Sequence, residues 1–271
     1  MQSGESRSEN GAEAQGDSSA RAAYDGMADF YDAFTAHHDY DLWLGNLLPA
    51  IEAQGPLRGK TLLDVGCGTG KSFLPMVERG WSVTGVDLSP GMVEQARRKI
   101  GAARQVELLV ADARELPVLG SFDLVWCLDD GLNYMLTAGE LQAALTGMRR
   151  NLDRAGLLAF DLNTLLSFRT FFAEEAVVER EGRRMVWQGR ADPSGPAGMI
   201  AEATLSLEGA ESLAARVVHR ERHYTEREVL AAIKGAGLRC VEVFGIHFDA
   251  VLKQPLDEEI HTKAIYLAKS A

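Results

Sequence analysis

The stretch TLLDVGCGTG at residues 61–70 constrains the fold more than any other segment of the chain. Its first half, through Leu62, Leu63 and Val65, reads as a short strand buried on both faces. Gly66, Gly68 and Gly70 then let the backbone turn sharply and approach a ligand with no Cβ in the way. A strand apolar on both faces belongs in a parallel sheet covered by helices on each side. The segments that follow keep this pattern. WSVTGVDL, VELLVAD, FDLVWCL and LLAFDLN are further strand candidates, and 71–80, 90–101 and 138–151 read as helices. Thr225 and Glu228 form a capping-box signature for a later helix that Gly235 or Gly237 can end, and LRCVEVFGIHF and TKAIYLAK close the chain as strands. The expected fold is α/β: a Rossmann-like, mostly parallel seven-stranded sheet with helices on both faces.

Three regions depart from the alternation. Residues 1–20 hold almost nothing to bury and are expected to be a disordered tail. Residues 21–57 place Tyr24, Met27, Phe30, Tyr31 and Phe34 at spacings of three and four and continue the apolar face through Leu44, Leu47 and Leu48. That spacing predicts two short helices capping the core of residues 58–165. In 166–224, VVEREGRRMVWQGR, GMIAEATLSLEG and LAARVVHRERHY read as strands joined by DPSGPAG and EGAES, a small antiparallel sheet inserted before 225–271 completes the core.

Composition removes several classes. A formal net charge of −11 without a long Lys/Arg block makes nucleic acid a poor partner. Cys67, Cys127 and Cys240 lack metal-ligand spacing, so no metal is expected, and reduced thiols suit the cytoplasm. No run reaches the ~20 apolar residues that span a bilayer, and no basic region precedes an apolar stretch at the N-terminus, so neither a membrane protein nor a secreted one is expected.

The glycine turn is not the dinucleotide fingerprint, because its third glycine comes one residue early and Lys71 stands where that fingerprint wants glycine. Asp64, at the mouth of the turn, disfavours a pyrophosphate and suits an ammonium. Asp87 ends the next strand about 20 residues beyond the turn, where a carboxylate can accept hydrogen bonds from both hydroxyls of a ribose. Capping the helix from Pro90 is the competing role, for which Ser89 is better placed. After the third strand, Asp112 offers a carboxylate to an exocyclic amine and Ala113 a backbone N–H to a ring nitrogen.

In order and spacing, LLDVGCGTG, the acid of GVDLSPGMVEQAR, VADARELP and FDLVWCL resemble the motifs of class I S-adenosylmethionine-dependent methyltransferases over residues 24–165. The resemblance implies that the turn of Gly66, Cys67, Gly68 and Gly70 holds the methionine portion of S-adenosyl-L-methionine. It also implies that Asp87 holds the ribose, that Met92 packs on adenine and that Asp112 and Ala113 read its edge. Leu88 and Leu128, beside the strand ends, complete the expected cofactor set. The opening Tyr24-Asp25-Gly26-Met27-Ala28-Asp29-Phe30-Tyr31-Asp32 is similar to a bacterial small-molecule subgroup that includes amino-sugar N-methyltransferases. There Tyr31 would reach the cofactor carboxylate, and the inserted sheet would form the acceptor pocket or a homodimer contact.

The expected activity is methyl transfer to N or O of a small molecule. The alternatives are a non-catalytic S-adenosylmethionine or S-adenosylhomocysteine binder and, disfavoured by the glycine spacing and Asp64, an NAD-dependent oxidoreductase. Asp129 and Asn133, after the fourth strand, lie where the transferred methyl should emerge. If VVHRERHYT is a strand, His219, Glu221 and His223 share one face, and His223, with Tyr224 orienting it or the acceptor, is the expected catalytic participant; His247, the cap residues His37 and His38, and the Asp129 carboxylate are the alternatives.

Overall fold

The computed structural model describes residues 20–180, 182–208 and 216–271. The expected tail therefore lies outside the described residues apart from Ala20, as does the EGAES turn apart from Glu208.

Five strands, β1 (Thr61–Val65), β2 (Ser82–Asp87), β3 (Val106–Val110), β4 (Phe122–Cys127) and β5 (Leu152–Asn163), pair in parallel. With β10 (Leu238–Ile246) and β11 (Lys263–Ser270) they form a seven-stranded sheet in the order β10-β11-β5-β4-β1-β2-β3, in which β11 is antiparallel to both neighbours. Alternation along the strands feeds two cores. Leu62, Leu124 and Trp126 pack on one face, while Leu63, Val125 and Cys127 pack on the other.

The longer helices after β1 start where their chemistry predicts. The helix Pro90–Ile100 has Ser89 as N-cap, its hydroxyl accepting from the Met92 N–H at 3.1 Å. Complete capping boxes open Ala138–Arg150, with Thr137 and Glu140, and Glu226–Gly235, with Thr225 and Glu228. The first of the interstrand helices is shorter than 71–80, spanning Leu74–Glu78, because the glycine turn runs on to Phe73 before helical geometry sets in.

The N-terminal region has three helical pieces rather than two: 20–27, Tyr31–Phe34 and Tyr40–Ala53, the last capped by the Asp39 carboxylate. The inserted sheet has four strands in the order β6-β7-β8-β9: β6 (Glu175–Arg180), β7 (Arg183–Gly189), β8 (Ile200–Glu208) and β9 (Arg216–Arg222). What reads in sequence as one long first strand folds back on itself at Gly182, whose φ of +72° is cheap only for glycine. A third core joins this sheet to the N-terminal helices, with Met27 and Phe30 packed against Phe172, Trp187 and Leu205.

Candidate active site

The carboxyl ends of β1 to β4 open into a cleft roofed by the N-terminal helices. Its floor is set by backbone. Gly66, Gly68 and Gly70 take φ values of +72°, +52° and +88°, a run that side chains with a Cβ resist. The Gly66 and Cys67 N–H groups donate to the Val86 carbonyl at 2.8 and 3.0 Å, which pins the turn to β2. A Cβ at Gly68 would meet no heavy atom within 4 Å, so the turn presents bare backbone to empty space.

Asp87 closes the next wall. Its two carboxylate oxygens accept from the Gly68 and Ser89 N–H groups, each at 2.8 Å, so the group is oriented and keeps lone pairs for the cleft. Burial pushes its carboxyl up to about 6 despite these donors. Leu88, Asp112, Ala113 and Leu128 line the same cleft. Asp112 is engaged by its neighbour, since the Arg114 guanidinium donates to both carboxylate oxygens, the shortest contact being 2.6 Å, and also reaches Glu140 at 3.1 Å.

Asp129 and Asp130 follow β4 with left-handed φ values of +68° and +59°. Two consecutive non-glycine residues in that region are costly. The Asp161 carboxylate offsets the cost by accepting both of their N–H groups, at 2.6 and 3.0 Å. Lys263 donates to Asp129, Asp130 and Asp161 at 3.0, 2.5 and 3.0 Å, and Asp129 also accepts from Tyr40 at 3.1 Å and pairs with His38 at 2.8 Å. Burial alone would raise the Asp129 carboxyl, but Lys263 and His38 outweigh it and hold the group well below the usual carboxylate range. Burial carries Asp130 the other way, up to about 6.

The cleft also gathers Tyr24, Tyr31 and Tyr134. Tyr24 donates to the Tyr134 hydroxyl at 3.1 Å, and that hydroxyl lies 2.7 Å from Nδ1 of His219. His219 is 2% exposed, and burial brings its imidazole down to about 4, so it is neutral at pH 7.

The structure corrects four expectations. Asp64 does not stand at the mouth of the turn: it is fully buried behind it, accepts from the Ser72 hydroxyl at 2.5 Å, and does not line the cleft. Met92 points into the third core instead of the cleft, because the N-terminal helices bury that face of its helix. His223 lies just past the end of β9, fully buried, with its ring nitrogens 3.0 Å from the Gly198 N–H and 2.8 Å from Glu258. Tyr224 is buried too and donates to the Thr137 carbonyl at 2.9 Å. His219 and Glu221 are both buried on the expected face of β9, and His219 meets the cleft only through the Tyr134 hydroxyl. Asn133, fully buried, ties the cleft wall to the insert by donating to the Arg222 carbonyl at 2.9 Å.

Asp161, Lys263 and Tyr40 carry no local signal, since each joins the site across a long stretch of chain. Tyr24 and Tyr134 sit in segments the sequence had marked, but nothing there points to their mutual contact. Among the described residues no His/Cys/Asp/Glu group has the arrangement of a metal site, and no helix is long and apolar enough to cross a membrane.

The family model described as a methyltransferase domain matches residues 62–156. The malonyl-[acyl-carrier protein] O-methyltransferase of Geobacter sulfurreducens is 32% identical over 226 residues, covering 82% of this chain and 70% of that protein. The crystal structure of an S-adenosylmethionine-dependent methyltransferase from Clostridium acetobutylicum aligns with a TM-score of 0.75 at 21% identity, over 92% of this chain and 99% of that one. The sugar N-methyltransferase KedS8 from Streptoalloteichus sp ATCC 53650 aligns with a TM-score of 0.67 at 25% identity, over 89% and 93%. A seven-stranded sheet of this order, a glycine turn that bares its backbone and these matches together establish that the chain belongs to the class I S-adenosylmethionine-dependent methyltransferases.

Proposed function

We propose that the cleft holds S-adenosylmethionine along the strand ends and methylates an amine, or secondarily a hydroxyl, of a small molecule entering beside β4. One observation carries this reading: the glycine turn, Asp87 and the Asp112-Ala113 edge line one cleft in strand order, with Asp129, Tyr24 and Tyr134 at its other end. In this reading the turn of Gly66, Cys67, Gly68 and Gly70 cradles the methionine portion, with Tyr31 near its carboxylate. Asp87 takes the ribose hydroxyls, Leu88 and Leu128 flank the nucleoside, and Asp112 with Ala113 meets the adenine edge. The chain divides accordingly into a cap, a cofactor-binding core, an insert that shapes the acceptor side and a completing C-terminal segment. Its unpaired cysteines suit the cytoplasm.

The sulfonium supplies an already activated methyl group, so the protein has chiefly to place the acceptor in line with it. Asp129, held ionised, favours an amine over an anionic acceptor. Tyr134, held by His219, fixes the acceptor's remaining hydrogen bond. The sugar N-methyltransferase among the structural neighbours supports an amino sugar as the first acceptor to try.

Calorimetry with S-adenosylhomocysteine and NAD tests the cofactor half, and transfer of a labelled methyl group to dTDP-linked aminohexoses tests the acceptor half. S-adenosylhomocysteine should bind and NAD should not. Asp87→Ala should weaken that binding by about 1 to 3 kcal/mol, the range for losing hydrogen bonds to a charged group, in a folded protein. Saturable NAD binding without S-adenosylhomocysteine binding ends the reading.

A further inference from the structure

Lys71 follows the third glycine of the turn, and its side chain enters the cleft on the side of β4. Its ammonium donates to the Thr35 carbonyl at 2.5 Å and the Thr35 hydroxyl at 3.0 Å, and lies 5.7 Å from the centre of the Tyr40 ring. An ammonium has three protons, so these two bonds leave a donor for a ligand. Burial lowers the Lys71 ammonium below its ordinary range, which marks it as a cation short of solvent.

The sheet order fixes which end of a ligand it meets. Across β4-β1-β2-β3, Asp129, the glycine turn, Asp87 and then Asp112 stand in sequence. A cofactor with its nucleoside over β2 and β3 must lay its amino-acid end over β1 towards β4. That end carries a carboxylate in a cleft whose lining includes Asp87, Asp112 and Asp129. Uncompensated, such a juxtaposition is repulsive. Among the described residues lining the cleft the cations are Lys71 and Arg114, and Arg114 is committed to Asp112 and Glu140 at the nucleoside end.

We infer that Lys71 recognises the α-carboxylate of the cofactor and, through Thr35, couples that recognition to the seating of the N-terminal cap. This rests on the cofactor reading above. The cap has a second tether to the same turn, Thr69 donating to Asp32 at 2.6 Å with Lys99 bridging both, so removing the Lys71 ammonium leaves the roof attached.

Two ligands that differ in the amino-acid moiety test it: S-adenosylhomocysteine and 5′-methylthioadenosine, which keeps the nucleoside and lacks the carboxylate. By calorimetry, Lys71→Met should weaken S-adenosylhomocysteine about 10- to 100-fold, the range for a lost charge-assisted hydrogen bond, while 5′-methylthioadenosine changes less than about twofold. Retained 5′-methylthioadenosine binding shows that the variant is folded, and Lys71→Arg should recover most of the lost affinity. In the wild type, S-adenosylhomocysteine but not 5′-methylthioadenosine should slow amide exchange across residues 31–40, and Lys71→Met should erase that difference. An equal effect of Lys71→Met on both ligands, or on neither, overturns the assignment while the cofactor reading stands. Failure of the wild type to bind either ligand removes both. Should Lys71→Met not fold, Lys71→Gln carries the same comparison.

Discussion

The two ends of the cleft are built from different materials. Over β1 and β2 one continuous stretch, residues 64–89, supplies the bare backbone of three left-handed glycines and a carboxylate held by two main-chain donors. Over β4 the groups are side chains from scattered places: Tyr24 and Tyr40 from the cap, Asp129 and Tyr134 after β4, His219 from the insert and Lys263 from the last strand. On the proposed reading, backbone geometry binds the methyl donor, the part common to these enzymes, and convergent side chains leave the other end free to change with the acceptor.

The sharpest way to break this contrast is Gly68→Val. A side chain there enters the empty space of the turn and forces a β-branched residue to φ +52°, so S-adenosylhomocysteine binding should fall more than about 100-fold. The fold should survive with a melting temperature a few degrees lower, and calorimetry beside thermal denaturation reads both. Binding within tenfold of wild type would show that the turn does not hold the ligand.

Tyr134→Phe probes the opposite end. It removes the hydroxyl between Tyr24 and His219 and should lower kcat for methyl transfer about 10- to 50-fold, a placement effect, with S-adenosylhomocysteine affinity unchanged within about twofold. A matching loss of cofactor affinity would mean that the two ends are not separable.

The smallest effect expected is on stability. Burial lifts the Asp64 carboxyl to about 7, whereas in the unfolded chain it ionises near its ordinary value of 3.8. The folded state therefore loses stability as pH rises between those values, by roughly 4 kcal/mol at most at 1.36 kcal/mol per unit. Asp64→Asn should recover about 1 kcal/mol of it at pH 8, because the buried amide takes back part of the gain, and nothing at pH 4. Denaturant titrations at the two pH values measure this, and S-adenosylhomocysteine affinity should stay within about twofold. A large loss of binding would return Asp64 to the mouth of the turn.

The same contrast explains what could be read from the residues. The strands of the core sheet, the glycine turn, the place of Asp87 at the end of β2 and the Thr225–Glu228 capping box are local patterns, and the structure reproduces them. Lys263 meets Asp129 across 134 positions, and no window on the sequence contains that pairing. Alternation puts His223 on the face of His219 and Glu221, but it cannot say which member of a face reaches the cleft. That is decided by where β9 meets Tyr134, and the strand has ended before His223. Met92 failed for a related reason: its helical face was legible, but whether cap or ligand covers it depends on tertiary packing.

The core shared by the cap and the inserted sheet has a consequence for descent and for engineering. Gly26 lies so close to β9 that a Cβ on it would come within 2.8 Å of Val217, and Met27 and Phe30 are buried among residues of the insert. If the insert shapes the acceptor side as proposed, the surface that meets the acceptor is encoded in two pieces at a distance along the gene. A chimera that transplants the insert alone would carry half an interface onto a foreign cap. Exchange of acceptor preference between relatives should succeed only when 20–34 and 165–222 travel together, so that in recombination the two segments behave as one heritable unit.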